Sequence, residues 1–126
     1  MIADAHCHFF SAGFFSALGR EASVDADAAQ LLPARLGWDA PESDEVLADR
    51  WVAELDRHGV TRAMLIASVP GDEASVAAAV KRHPSRVVGA FMVNAADPDA
   101  TSLSWTRPST NSVACSSRWV WPLGVP

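Results

Sequence analysis

The residues of this chain best suited to chemistry are two histidines one residue apart, His6 and His8, in the stretch Asp4-Ala5-His6-Cys7-His8-Phe9-Phe10. In a strand, side chains alternate faces, so Asp4, His6 and His8 are expected on one side and Ala5, Cys7 and Phe9 on the other. Two imidazoles facing one space can present ring nitrogens to a single divalent cation at the roughly 2.0–2.1 Å of a zinc–nitrogen bond. Asp4 lies one step deeper on that face, where a carboxylate would orient a ligand imidazole or complete the coordination shell. The alternative is a His-x-His pair that arises by accident on a surface strand. The apolar lead-in Met1-Ile2-Ala3, the small Ala5 and Cys7 and the aromatic pair Phe9-Phe10 favour the metal site.

Such a pair needs a sheet to hold it, and the chain supplies one. Ser11 to Gly19 reads as a loop or short helix leaving the first strand, and Asp25 to Arg35 is alanine-rich, with Pro33 limiting any helix there. The segment to Pro41 reads as an insertion. Ser43 to His58 is the clearest helix: Leu47, Trp51 and Leu55 recur at i, i+4 and i+8, Ser43 or Asp44 caps its start, and Gly59 ends it. Val60 to Val69 and Arg86 to Val93 are apolar runs of the kind that form strands covered on both faces. Between them a helix from about Glu73 to Arg82 is expected, capped by Asp72, with Val76 and Val80 on its buried side.

Strand and helix alternating through short links imply an α/β fold with a parallel sheet, whose ligands gather at the carboxyl ends of the strands. His8 falls at that edge of the first strand. Asp72 follows the second, and Asn94 and Asp97 follow the third; their ordinary roles as cap and turn residues make them weaker site candidates. His58 and His83 end helices and fall at the opposite edge, which removes both as ligands.

Composition narrows the function classes. At 126 residues the chain is one domain or part of a larger one, and 49% apolar with 20% charged residues is the balance of a globular protein. No apolar run reaches the roughly 18 residues of a membrane span, and no basic segment precedes a secretory core, so a cytoplasmic location with no membrane partner is expected. A net charge of -5 provides no basic footprint for nucleic acid. Cys7 and Cys115 are too few and too distant for a disulfide framework. The charge is also unevenly spread: residues 101–126 contain Arg107 and Arg118, no acid, and three of the five tryptophans. Two regions are therefore expected, 1–100 and an irregular tail, 101–126, produced by a lost reading frame or a truncation.

Three stretches carry a family resemblance: Asp4 to Phe10, Trp51 to Leu65 and Val88 to Asn94. In this order they resemble the metal-dependent amidohydrolase superfamily, in its amidohydrolase-related branch that includes the aminocarboxymuconate-semialdehyde decarboxylase type. The resemblance implies a (β/α)8 TIM barrel, of which residues 1–100 would form about three β-α units, with His6 and His8 as the first two ligands of a divalent metal, usually zinc. It also implies a small-molecule substrate and either hydrolysis of an amide or ester or decarboxylation of a carbonyl or carboxylate compound. A full barrel takes about 250 residues, and no histidine follows His83, so the fragment is expected to be inactive. Two other readings compete with this one. A TatD-like metal-dependent nuclease shares an Asp-x-His-x-His first strand, although the insertion from Ser11 to Glu42 and the Phe9-Phe10 pair favour the first family. A non-catalytic truncated product would be unstable or would self-associate through its open sheet edge.

Overall fold

The apolar runs pair side by side, and the amphipathic segments between them carry the chain back along one face of the resulting sheet. The computed structural model describes residues 1–22 and 27–92 together with the backbone of 112–115. In chain order the elements are β1 (Ala3–Phe9), α1 (Ala12–Glu21), α2 (Ala28–Arg35), α3 (Asp44–Arg57), β2 (Arg62–Ala67), α4 (Glu73–Arg82), β3 (Val87–Met92) and β4 (Ser112–Cys115). All strand pairs are parallel, in the order β1-β2-β3-β4. The molecule is therefore a mixed α/β structure built on a parallel sheet. No helix among the described residues is long and apolar enough to cross a membrane.

The strand alternation is visible in the core. Cys7 and Phe9 of β1, Ala63, Leu65 and Ala67 of β2 and Val87 of β3 pack against Ala48 and Leu55 of α3 and Val76, Ala79 and Val80 of α4. Ile66 and Ala90, at alternate positions, are also buried, consistent with strands whose apolar character is continuous. In α3 the stripe is centred on Ala48 and Leu55, with Leu47 and Trp51 only partly buried at its flanks. The small Ala48 sits in the core at the centre of this stripe, which a count of large apolar residues does not reveal. Ser43 caps α3 by accepting from the Val46 N–H at 3.3 Å, and Gly59 follows the helix at φ +66°.

The stretch after Ser11, read as a loop or short helix, is the helix α1, capped by the Ser11 hydroxyl, which accepts from the Phe14 N–H at 3.0 Å. Two expectations are corrected. Pro33 lies inside α2, two residues before its end. It removes one backbone donor but does not prevent the helix, and its own carbonyl accepts from the Leu36 and Trp38 N–H groups as the chain turns away. Finally, residues 112–115, inside the segment expected to be irregular, form β4 against β3.

The edge of the sheet where the strands begin is tied together by charge. Asp49 of α3 accepts from Arg82 Nε and Nη2 at 3.1 and 2.9 Å and pairs with His83 Nε2 at 2.7 Å. Arg86 donates to the Thr61 and Val60 carbonyls and to Asp56. His58 pairs with Glu54 at 3.0 Å. Both of the later histidines are thus engaged structurally, away from the β1 histidines.

Cys7 gives a direct check on this core. Its burial, with a second contribution from the Asp4 carboxylate, raises its pKa from 9.0 to about 12. The folded protein should leave Cys7 unmodified by iodoacetamide at pH 8, with alkylation appearing in denaturant, as peptide mapping would show. Between pH 9 and about 12 the unfolded chain releases a thiol proton that the folded chain keeps, so this group's contribution to stability is lost as pH rises through that window.

Candidate metal centre

The first strand owes its site to an irregularity. Ala3 and Asp4 pair with Arg62 and Ala63, whereas Cys7 pairs with Leu65, so Ala5 and His6 together stand opposite Met64. This one-residue bulge changes the alternation along the strand. Beyond it, Cys7 and Phe9 point to the helices and His8 faces away. Before it, Asp4 is in register with core-facing Ala63 and therefore falls on the Cys7 side.

Asp4 consequently does not join the imidazoles, as simple alternation predicts. Its carboxylate accepts from the His6 backbone N–H at 2.9 Å and from the Cys7 thiol, and these bonds lower its pKa in that order of importance. It fastens the bulge. The aspartate thus helps to set the strand's shape.

The two histidines do converge. His6 Nε2 and His8 Nε2 lie 3.1 Å apart, with ring planes at 74°. Two nitrogens bound to one tetrahedral zinc at roughly 2.0–2.1 Å would be about 3.3 Å apart, close to the spacing of this ring–ring hydrogen bond, whose donor nitrogen would have to exchange its proton for the cation. His8 Nδ1 is 3.0 Å from Ser68 Oγ, the residue that follows β2. The Ser68 hydroxyl also lies 3.3 Å from the Ile66 carbonyl and, when it donates its proton there, can accept from His8 Nδ1–H. In that tautomer His8 Nε2 is left as a lone-pair donor, the form a metal requires. Burial, followed by the neighbouring His6, lowers the His8 pKa and favours the same neutral ring.

Sequence reading found neither Ser68 nor the rings around His8. Phe10 lies parallel to the His8 imidazole, and Trp38, from the segment after α2, stacks in turn on Phe10. A serine just past a strand end carries no distinctive spacing. The stack joins residues 28 apart.

Asp72 stands at the N-cap position of α4, as expected, but its side chain makes no capping bond to the helix. The carboxylate is buried and accepts from Ser11 Oγ at 2.6 Å and Ser75 Oγ at 2.9 Å, linking the β1–α1 connection to the start of α4. Its closeness, second to burial, helps to raise the pKa of Asp44. Asn94 and Asp97 lie outside the described residues. Among the described residues no cluster of three or more His, Cys, Asp or Glu side chains could hold a metal, so His6 and His8 form a pair and not part of a larger set. Comparison of the chain with protein-family models, with curated proteins and with solved structures finds no match.

Proposed function

We propose that the chain is the N-terminal part of a (β/α)8 metal-dependent enzyme of the amidohydrolase type, with His6 and His8 as the first two ligands of a divalent cation, zinc by preference. The observation that carries this reading is the 3.1 Å convergence of two Nε2 atoms beside the carboxyl end of a parallel strand. Bound there, the cation would activate a water molecule or polarise the carbonyl or carboxylate of a small substrate, for hydrolysis or decarboxylation. His6 and His8 hold their nitrogens on one point. Ser68 can accept from His8 Nδ1–H, and the Asp4 bonds keep the bulge that turns His6 toward its partner. A cytoplasmic setting, where the Cys7 thiol stays reduced, suits such an enzyme.

Two imidazoles fall short of the three protein ligands of a catalytic zinc, so the 126-residue chain alone should bind metal weakly and turn nothing over. Titration with zinc, followed by calorimetry, should show one site that disappears in His6→Ala and in His8→Ala. Undiminished zinc retention in the double variant would overturn the assignment. Affinity should also fall as pH drops through the lowered pKa of His8, where that ring takes up a proton.

A further inference from the structure

We propose that Trp38, acting through Phe10, is a positioning residue that sets the plane of the His8 imidazole; this rests on the reading of His6 and His8 as metal ligands. The Phe10 ring is within 3° of parallel to His8 at a centroid distance of 5.8 Å. The Trp38 indole stacks on Phe10 at 5.7 Å and 23°. Phe14 of α1 braces Phe10 at 4.8 Å. An unbroken series of rings therefore runs from the histidine pair out to an indole that is half exposed.

The hydrogen bond to Ser68 holds the imidazole at Nδ1 and the bond to His6 holds it at Nε2, but a cation taking that second nitrogen would end the second hold. The terminal torsion of histidine has a broad minimum, so a ring held at Nδ1 alone can still tilt and carry Nε2 off the shared point. Contact along a ring face removes that freedom, and parallel offset stacking is a favoured arrangement. The route by which Trp38 arrives supports a dedicated placement. The chain leaves α2 through Gly37 at φ +72°, a conformation that side chains rarely adopt, and the Trp38 N–H returns to the Pro33 carbonyl at 3.0 Å. This turn brings the indole back over Phe10 and leaves it outside the main apolar cluster. The insertion between β1 and α3 thus reaches the histidine pair through its aromatic residues.

The test uses the full chain with cobalt(II) as the probe, in wild type, Trp38→Ala, Trp38→Phe and Phe10→Leu. Cobalt affinity is read from visible absorption. The His8 ring resonances are read by NMR in metal-free protein. Trp38→Ala and Phe10→Leu should weaken cobalt binding about tenfold, the loss typical when a residue that orients a ligand is removed. Both should shift the His8 ring resonances, and Trp38→Phe should restore binding and shifts together. A packing role alone would lower the melting temperature and leave the folded protein's His8 resonances in place. Unchanged His8 resonances in folded Trp38→Ala would overturn the proposal. If wild type takes up no cobalt, the metal reading fails, while the metal-free resonances still decide whether Trp38 orients the ring.

Discussion

Phe9→Ala is expected to destabilise the fold by about 3–5 kcal/mol and to remove metal binding with it. Phe9 is fully buried, lies opposite Ala67 of β2, and packs in the cluster that joins β1 to α3 and α4. Truncation loses the transfer energy of the ring and leaves a cavity among the core residues of β2, α3 and α4. Small domains have total stabilities of about 5–15 kcal/mol, so this single change consumes a large part of the margin. The site suffers because Phe9 directly follows His8, and the Phe9 carbonyl accepts from the Ser11 N–H at 3.1 Å where α1 begins. Chemical denaturation would give the loss in stability. Phe9→Leu, which keeps most of the buried volume, should retain both fold and zinc binding; equal damage from Leu and Ala would show that volume is not what matters there.

The second large effect is a reversal of sign at Gly13. On an ordinary helix, Gly→Ala stabilises by about 0.5–1 kcal/mol. Here a Cβ at Gly13 would overlap the Asp72 carboxylate, which is held in place by Ser11 and Ser75. Overpacking of this kind costs about 1–3 kcal/mol and outweighs the helical gain, so Gly13→Ala should destabilise. Asp72→Ala should itself cost about 1–3 kcal/mol, because the buried Ser11 hydroxyl loses its acceptor. Ser75 is less affected, since it also donates to the Asp72 backbone carbonyl at 2.8 Å. In the Asp72→Ala background the obstacle is gone, and Gly13→Ala should become neutral or stabilising. A double-mutant cycle measures this coupling directly. Additive effects would show that the two residues do not meet.

How far the sequence could be read follows from which interactions are local. The capping of α3 by Ser43, the buried Val76 and Val80 of α4, and the placement of His58 and His83 away from the β1 pair depend on neighbours three or four residues apart, and all were legible. The parallel pairing of the first three strands was legible from the strand–helix alternation. What escaped depends on distant partners. Asp72 holds the expected N-cap position of α4, but the bond its carboxylate makes to Ser11, 61 residues earlier, has no local signal. Asp4 reads as a companion of the histidines until the pairing with β2 reveals an extra residue in β1. Ser68 and Trp38 have no local signature, because each acquires its role only when two loops meet at His8. Strand β4 was missed because residues 112–115 lie in a serine- and tryptophan-rich context without apolar periodicity.

The surplus residue in β1 also divides that strand into two stretches whose pleats are out of phase. The orientation of the imidazoles is set at and beyond that break, where Asp4 accepts from the His6 N–H, while Met1 and Ile2 stand open to solvent and the Ile2 carbonyl is held by Thr61. An affinity tag joined at Met1 therefore attaches to exposed chain that Thr61 anchors before the residues that orient His6 and His8 are reached.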